Sequence, residues 1–484
     1  MPRTGRLSAV PYESIRVTGE SRPRLDEGLE RIRRELKLPA EFPRAVVDEA
    51  EWVAEVPRLP ETDRTDLPLV TVDPPGSMDL DQALHLEERP GGYRVWYAIA
   101  DVGAFVRPDS AIDREARTRG ETVYLPDGRI PLHPPVLSEG AASLLPGAVR
   151  PAALWCVDLD AEGRMVGADV TRALVRSRER LDYDYVQAAV DTGTADGTLR
   201  LLSEIGRLRL ALERERDGVT LPTPEREVVP DGDGYQVVVR VPLEAEAWNA
   251  QISLLTGMAA ASMMLDAEIG LLRVLPPAPA GEVARVRRIA SALGVPWAEE
   301  ASYGDVVHDL DPKIPEQAAF LQESTVLLRG AEYVAFNGAP PPGAFHAAVA
   351  APYAHVTAPL RRLIDRYATE ICLAIAAGEP VPDEIQRIMG ELPGVMAATG
   401  RRSAAAERAC VDLIEASVLR ERVGQTFEAV VIDVDEDRPG GQVQITDPPV
   451  VARCDGEDLP LGATVRVRLT RADPATREVR FSLA

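Results

Sequence analysis

The stretch Val70-Thr-Val-Asp73-Pro-Pro-Gly-Ser-Met-Asp79-Leu-Asp81-Gln82 decides how this chain is interpreted, because it places three carboxylates close together after an apolar run. The β-branched residues before Asp73 predict a strand, and Pro-Pro-Gly predicts a turn that folds Asp73 back toward the other two aspartates. Residues two apart in an extended segment face the same side, so Asp79 and Asp81 point together. Such oxygen ligands suit a hard divalent cation such as Mg²⁺; the alternative is a solvated acidic turn.

Composition sets the broad class of protein. The 484 residues are 45% hydrophobic and 27% charged, which is typical of a globular protein with two or three domains. The net charge of -23 argues against a uniformly basic nucleic-acid-binding surface but leaves local arginine-rich grooves open. The four cysteines lack C-x-x-C spacing, which disfavours a zinc site or a disulfide framework. With no signal-peptide core and no apolar run near the roughly 18 to 20 residues of a membrane span, we expect a cytoplasmic monomer with no membrane partner.

Periodicity divides the chain into three parts. Residues 1–65 alternate charged, helix-like stretches with prolines, which predicts a helical and extended leader. Residues 66–422 mix strand-like and helical stretches without a regular βαβ repeat, which predicts an α+β domain. Residues 423–484 return to short strands separated by turn residues, which predicts a small closed barrel of the OB type. Nucleic-acid binding by this barrel is an analogy, and a purely structural module is the alternative.

A second motif is Ala351-Pro-Tyr353-Ala-His355-Val-Thr357-Ala-Pro359-Leu-Arg361-Arg362-Leu-Ile-Asp365. Pro359 suits the first turn of a helix and Thr357 is placed to cap it, so we expect Arg361 to lie beside exposed backbone N–H groups. A guanidinium at a helix N-terminus predicts a phosphate site. The alternative is a surface ion pair between Arg361 and Asp365, four residues later.

The acidic and arginine motifs together resemble the RNB catalytic domain of the ribonuclease II family. Further stretches match blocks of that family in the same order: Tyr97-Ala-Ile-Ala-Asp101, Thr122-Val-Tyr124-Leu-Pro126, Ile130 to Ser138, Ser143-Leu-Leu-Pro, Ser177 to Tyr183 and Ala405-Ala-Glu407-Arg. The resemblance covers roughly Leu67 to Arg420. It implies an RNB domain with a β-rich core surrounded by helices, followed by an OB-fold RNA-binding barrel.

The resemblance also implies an activity and a set of residues. The implied activity is that of a metal-dependent, processive 3′-to-5′ exoribonuclease, which hydrolyses single-stranded RNA to nucleoside 5′-monophosphates. The implied cofactor is Mg²⁺, with Mn²⁺ as an alternative, and its implied ligands are Asp73, Asp79, Asp81 and Gln82. The implied catalytic residues are the three aspartates and Arg361. The implied RNA-binding residues are Tyr124, Tyr183, Asn249, Thr357, Arg361 and Glu407.

Two positions depart from the family pattern. Gln82 stands where the family has a fourth aspartate, and Asn249 stands where it usually has a glutamate. Each change removes a carboxylate, so the alternative is a catalytically weakened or inactive RNB-domain protein that binds RNA. A hydrolase acting on another phosphodiester, such as DNA, is a third reading. We expect activity, because the three aspartates, Arg361 and the tyrosines are all present.

Overall fold

A computed structural model describes residues 14–17, 22–221, 225–231, 234–240, 242–312, 314–435, 438–445 and 450–484. The helices are α1 (Arg22–Glu35), α2 (Arg44–Glu55), α3 (Ala111–Arg119), α4 (Tyr183–Asp191), α5 (Gly197–Glu215), α6 (Glu244–Asp266), α7 (Ala280–Ala292), α8 (Tyr303–His308), α9 (Pro315–Ser324), α10 (Leu363–Ala376), α11 (Asp383–Met389) and α12 (Leu392–Leu419). The strands are β1 (Ser14–Val17), β2 (Leu69–Val72), β3 (Gln82–Arg89), β4 (Gly92–Ala100), β5 (Val123–Leu125), β6 (Gly128–Ile130), β7 (Val149–Asp160), β8 (Met165–Leu181), β9 (Glu225–Asp231), β10 (Gly234–Arg240), β11 (Ile269–Val274), β12 (Glu332–Asn337), β13 (Thr426–Val434), β14 (Gly441–Ile445), β15 (Val450–Asp455), β16 (Thr464–Asp473) and β17 (Glu478–Leu483). This mixture of helix and sheet confirms the predicted α+β class.

The β-rich core of the central domain is a closed barrel with the strand order β2-β3-β4-β7-β8. Its long β7–β8 hairpin turns at Asp160–Gly163, where the N–H of Gly163 donates to the carbonyl of Asp160 at 3.1 Å. Gly163 has φ 78°, which glycine adopts without steric cost, and the Asp160 carboxylate accepts the N–H of Arg164 at 2.7 Å. The connection from β2 to β3 carries the aspartates, so the barrel positions the acidic motif.

Strand β4 shows why the barrel sequence is so apolar. Val95, Tyr97 and Ile99 belong to one buried cluster, which also contains residues of α5, α6 and α10. Ala98 and Ala100 belong to a second buried cluster, which includes residues of α2. Successive side chains of a strand point to opposite faces, so both faces of this wall are buried and the strand becomes a nearly continuous apolar run.

The C-terminal barrel is closed by β13, β14, β15, β17 and β16, which confirms the predicted five-stranded OB architecture. It packs on the central domain through Ile432, which shares a buried cluster with Ile289 of α7 and Phe320 of α9. An ion pair between Arg285 Nη2 and Asp433 Oδ1 at 2.9 Å lies beside this contact. The barrel and the central domain therefore share a packed interface.

The N-terminal helices also pack on the rest of the chain. Leu29 and Ile32 of α1 form a buried cluster with Leu413 and Ile414 of α12. Much of the segment before α1 lies outside the described residues, so a separate leader over residues 1–65 stays a prediction. Within the described ranges, no helix combines the length and apolar character needed to cross a membrane.

Candidate active site

The acidic loop between β2 and β3 is fixed to the barrel by a serine. Ser143 is fully buried, and its Oγ accepts the N–H of Leu80 at 2.9 Å and donates to the carbonyl of Met78 at 2.7 Å. The N–H of Asp73 donates to the carbonyl of Leu181 at 3.1 Å, which anchors the other end of the loop to β8. These contacts hold the predicted aspartates in place.

Asp81 connects the acidic motif to the arginine motif. Its side chain is buried, and its Oδ1 accepts the N–H of Leu360 at 2.7 Å. Its Oδ2 lies 3.4 Å from Nε of Arg361. Burial raises the pKa of Asp81 to about 8, against the opposing effects of Arg361 and the Leu360 N–H. The structure therefore brings two of the predicted catalytic residues into direct contact.

Asp73 and Asp79 have different environments. Oδ2 of Asp73 is buried without a hydrogen-bond partner, and burial raises the pKa of this carboxyl to about 7. Asp79 forms an ion pair with Nη1 of Arg129 at 2.7 Å and accepts the hydroxyl of Tyr124 at 3.4 Å. Arg361 lowers the pKa of Asp73 whereas the charge of Asp79 raises it, so the three residues interact electrostatically.

The turn that carries Arg361 corrects two predictions. Helix α10 begins at Leu363 and has Arg362 as its N-cap, so Pro359 is not in the first helical turn and Thr357 is not the cap. Asp365 is fully buried and pairs with Nε of Arg362 at 2.5 Å, so the predicted surface pair between Asp365 and Arg361 is wrong.

The same carboxylate orders the turn. Oδ1 of Asp365 accepts the N–H of Ala358 at 2.7 Å, which reaches back across the turn. The guanidinium of Arg361 is half exposed and lies beside Asp81 instead. It therefore faces the acidic loop and remains accessible to an anionic ligand.

Gln82 already has partners at both ends of its amide. Its Nε2 donates to the carbonyl of Thr357 at 2.6 Å, and its Oε1 accepts the hydroxyl of Tyr97 at 2.6 Å and that of Ser253 at 3.5 Å. These bonds connect β3 to the arginine motif, and Thr357 is itself buried. Ligation of a metal by Gln82 stays a prediction.

The remaining predicted RNA-binding residues fall into two groups. Tyr124 is exposed beside Asp79, and Asn249 is buried with its Nδ2 donating to the hydroxyl of Tyr183 at 3.3 Å and to the carbonyl of Val72 at 3.5 Å. Val72 precedes Asp73, so Tyr183 and Asn249 lie next to the acidic loop. Glu407 is exposed on α12, and no described residue of this site forms a hydrogen bond or ion pair with it.

The acidic side chains of the site fit a divalent cation only in part. The unpartnered oxygen of Asp73 and the raised pKa values of Asp73 and Asp81 are what two buried carboxylates show when burial outweighs the nearby charge of Arg361. However, the described residues contain no group of three or more His, Cys, Asp or Glu side chains arranged to hold a metal ion. Asp73 has the unpartnered oxygen, whereas Asp81 contacts Arg361 and Asp79 is paired with Arg129.

Sequence reasoning missed Arg129 and Tyr97. Tyr124 pairs with Arg129 across the β5–β6 hairpin, and the Pro126-Asp127-Gly128 turn signal would have placed these two residues together. Tyr97 is two residues from Ile99, the direct cross-strand partner of Gln82. Side chains alternate along a strand, so this pairing would have placed Tyr97 on the Gln82 face, but the register was not available from sequence.

Comparison with known proteins identifies the family. The family model of the RNB domain matches residues 61–376, and that of the RNase II-type exonuclease C-terminal S1 domain matches residues 425–484. Ribonuclease R of Escherichia coli (strain K12) is 28% identical over 430 residues, which cover 82% of this chain and 52% of that protein. Ribonuclease R 1 of Lactococcus lactis is 24% identical over 506 residues, which cover 94% of this chain and 61% of that protein. The chain thus spans between half and two thirds of the length of these relatives.

Solved structures share the fold. The apo form of Mycoplasma genitalium RNase R has a TM-score of 0.84 at 19% sequence identity, covering 95% of this chain and 78% of that chain. Yeast Ssd1, described as a pseudonuclease, has a TM-score of 0.69 at 17% identity, covering 93% of this chain and 57% of that chain. At these identities the likeness concerns the fold alone. Because the RNB match covers more than half of its residues, this chain belongs to the RNB-domain, ribonuclease II family.

Proposed function

We propose that this protein is a metal-dependent, processive 3′-to-5′ exoribonuclease that hydrolyses single-stranded RNA to nucleoside 5′-monophosphates. The observation that carries the proposal is the contact of Asp81 with both the N–H of Leu360 and the guanidinium of Arg361. An accessible cation beside buried carboxylates suits hydrolysis of a phosphodiester, because the cation stabilises the charge that develops on the phosphate.

Each residue of the site has a chemical task in this proposal. Arg361 binds the scissile phosphate and is oriented by Asp81. Asp73 and Asp81, with Asp79 nearby, would hold Mg²⁺ or Mn²⁺, which when bound supplies Lewis-acid activation of the attacking water and charge neutralisation. Tyr124, exposed beside Asp79, offers a face for stacking on the terminal base without sequence preference.

Gln82 acts in this proposal as a positioning residue. Its amide holds the carbonyl of Thr357 and the hydroxyl of Tyr97, and thereby fixes the arginine motif against β3. Asn249 similarly holds Tyr183 beside the end of β2. Both amides thus stabilise the site where the family has carboxylates, and neither provides a negative charge.

The alternative function is RNA binding with weak or absent catalysis. Two observations favour it. The amide oxygen of Gln82 already accepts a hydrogen bond from the hydroxyl of Tyr97. In addition, the described residues include no group of three or more His, Cys, Asp or Glu side chains arranged to hold a metal ion. The pseudonuclease Ssd1 shares the fold, which shows that this architecture also occurs in a protein described as lacking nuclease activity.

One assay separates these functions. A 3′-extended, 5′-labelled oligoribonucleotide is incubated with the protein in Mg²⁺, in Mn²⁺ and in EDTA, and the products are followed by gel electrophoresis and mass spectrometry. The proposal expects metal-dependent shortening from the 3′ end and release of nucleoside 5′-monophosphates. Binding without shortening in either metal supports the alternative, and equal rates on the matching deoxyribo-oligomer indicate a general phosphodiesterase.

The setting of the reaction is part of the proposal. We expect a monomer that acts in the cytoplasm, where single-stranded RNA is its partner, and in which the C-terminal barrel guides the strand to the active site. Light scattering coupled to size-exclusion chromatography tests the monomer, and fractionation of cells tests the location.

A further inference from the structure

A cavity of about 520 Å³ lies outside the candidate active site and shares none of its predicted residues. Its lining comes from the segment after α2, the turn after β4, strand β8, and helices α10 and α11. Gly103 forms part of the lining, and a Cβ at this glycine would come within 1.9 Å of Oε1 of Glu370. The close approach of backbone and side chain makes this part of the wall tightly packed.

The cavity has two kinds of wall. One part is apolar and includes Leu59, Pro60, Val106, Pro108 and Ile385. The other part is charged and contains Arg58, Arg107, Arg172, Arg366, Glu370 and Glu384. Ligand cavities of about 300 to 1,000 Å³ commonly combine an apolar lining with a few polar groups, so the volume suits a small molecule rather than a single ion.

Two of the four arginines are already neutralised by carboxylates. Nε of Arg172 pairs with Oδ2 of Asp101 at 2.9 Å, and its Nη2 contacts Glu370. Nη2 of Arg366 pairs with Oδ1 of the fully buried Asp113 at 2.7 Å. These two cations are structural, because each is committed to a buried carboxylate.

The other two arginines have no carboxylate partner among the described residues. Nη2 of Arg58 donates to the carbonyl of Gly103, and its backbone N–H donates to the carbonyl of Ala104 at 2.9 Å, which fixes it at the cavity. The side chain of Arg107 is exposed and forms no hydrogen bond or ion pair within the described part of the chain. Burial and the charge of Arg107 lower the pKa of Arg58, against the opposing effects of Glu370 and Asp101, so the guanidiniums of Arg58 and Arg107 repel each other.

Two arginine side chains without a carboxylate ion-pair partner are unusual in a chain with a net charge of -23, in which Asp and Glu outnumber Lys and Arg. Each guanidinium presents a planar fork of donors that matches a phosphate group. The repulsion between Arg58 and Arg107 would be relieved by an anion that bridges them. The apolar wall beside them favours an anion that carries a ring or another apolar body.

We propose that this cavity, which we call the Arg58–Arg107 pocket, is a second ligand site that binds a phosphate-bearing small molecule of mononucleotide size. Arg58 and Arg107 bind the phosphate, and the wall of Leu59, Pro60 and Val106 packs against the ring. The proposal does not depend on the exoribonuclease activity, because no residue of the pocket belongs to the candidate active site.

The test uses AMP as the probe and isothermal titration calorimetry of the full chain. AMP also resembles the product of the proposed reaction, so the titrations are made in an Arg361→Ala background, which removes the phosphate-binding arginine of the active site. We expect one AMP to bind, with adenosine alone and inorganic phosphate alone each binding at least tenfold more weakly.

Three variants in that background locate the binding. Arg107→Ala should weaken AMP binding at least tenfold without affecting folding, because the side chain is exposed and no other described residue forms a hydrogen bond or ion pair with it. Arg58→Ala should weaken it similarly. Arg164→Ala removes the same charge from the exposed pair with Glu215 outside the pocket, and should leave AMP binding unchanged.

The proposal is overturned if AMP does not bind the Arg361→Ala protein, or if Arg107→Ala binds AMP as tightly as its parent. Phosphate binding as tight as that of AMP would reduce the pocket to a simple anion site and would contradict the mononucleotide size. If the wild-type chain does not hydrolyse RNA, these titrations are unaffected. The exoribonuclease proposal and the pocket proposal can therefore fail separately.

Discussion

Asp81 shows at the scale of single residues how the two motifs form one site. Its carboxylate accepts a backbone N–H from a residue 279 positions away and lies beside the guanidinium of Arg361. The sequence predicted both residues, but it also predicted a helix with Pro359 in its first turn and Arg361 near its N-terminus. The helix starts later because Asp365, buried within it, binds the N–H of Ala358 and orders a turn first.

Replacing Asp81 by Asn tests the role of the charge. Asn keeps an oxygen that accepts the N–H of Leu360, so we expect the fold and RNA binding to be largely retained while hydrolysis is lost. Rates on a labelled oligoribonucleotide, together with binding by fluorescence anisotropy, check this result. Asp66→Asn, at an exposed pair with Arg64, is the control and should be fully active. Equal rates for the Asp81 variant and the wild type would refute the assignment.

Arg361→Ala should reduce the rate of hydrolysis by about 10², which is the size expected when one preorganised donor to the transition state is removed. The side chain is half exposed, so its loss should leave the unfolding temperature nearly unchanged. Single-turnover rates and thermal unfolding measure the two effects. An unchanged rate would mean that Arg361 only neutralises Asp81.

Gln82→Asp tests whether this site is built around glutamine. The sequence alone favours a modest gain in activity at limiting Mg²⁺, because a charged ligand replaces a neutral one. The contacts favour the opposite result: the shorter carboxylate loses the donor to the carbonyl of Thr357 and adds charge near Asp79 and Asp81. We expect a loss of about 1 to 3 kcal/mol in the free energy of unfolding, the cost of a buried acceptor left unsatisfied.

Urea denaturation measures that loss, and the Mg²⁺ concentration for half-maximal rate measures the effect on the site. Gln82→Glu is the matched control, because it has the length of glutamine and the charge of aspartate. If the aspartate variant is as stable as the wild type and needs less Mg²⁺, the hydrogen bonds of Gln82 have no positioning role.

At the scale of elements, the sequence predicted the strands and helices with strong periodicity well. Residues 423–484 were predicted to form short strands separated by turn residues, and the observed strands include Thr426–Val434 and Gly441–Ile445. The 17-residue strand β8 was not predicted, because arginines and a glutamate interrupt the alternation of apolar and polar residues in its sequence. Only one face of this strand is consistently buried, so exposed charges interrupt the apolar pattern from which strands are predicted.

The start of α10 is the element on which the arginine motif depends. Asp365 is fully buried and neutralises Arg362, so Asp365→Asn keeps an acceptor for the N–H of Ala358 but leaves Arg362 without its counter-charge. Removing one partner of a buried ion pair costs about 3 to 5 kcal/mol. We expect a loss near 3 kcal/mol, because the side chain of Arg362 keeps some contact with water.

Chemical denaturation gives the stability of this variant, and Asp383→Asn at the exposed start of α11 provides the control. Hydrolysis should fall together with stability, because the turn that positions Arg361 is loosened. A variant as stable as the wild type would show that the ion pair is replaced by water and does not organise the turn.

At the scale of the whole molecule, the sequence predicted a C-terminal barrel but gave no information on how it contacts the central domain. The contact depends on Ile432, Ile289 and Phe320, which are separated widely in sequence and are each ordinary core residues in their own element. Gly462 is also part of this interface, because a Cβ at this glycine would lie 2.3 Å from the carbonyl oxygen of Ala292. Such pairings follow from the tertiary structure and have no local signal.

Deleting residues 423–484 tests the contribution of the barrel to RNA binding. The truncated chain should bind long RNA more weakly and with a flatter dependence on salt, because phosphate contacts that release counterions are lost. Cleavage of short substrates should persist. The deletion also uncovers Ile289 and Phe320, so the truncated protein should be more prone to aggregation.

Gly462→Ala separates docking from RNA contact without deleting the barrel. The added methyl group meets a backbone oxygen of α7 that cannot move away, so the barrel should shift away from α7. All other side chains of the barrel are unchanged. Gly424→Ala has comparable backbone strain, at φ 91° against 78°, but its Cβ meets nothing within 4 Å, which makes it the matched control. If the barrel guides RNA by its position, Gly462→Ala should weaken binding of long RNA more than Gly424→Ala, while both keep the salt dependence of the intact chain. The opposite outcome is that both variants bind long RNA as tightly as the wild type and only the truncated chain binds more weakly. This outcome would show that the barrel contributes contacts independently of where it is docked.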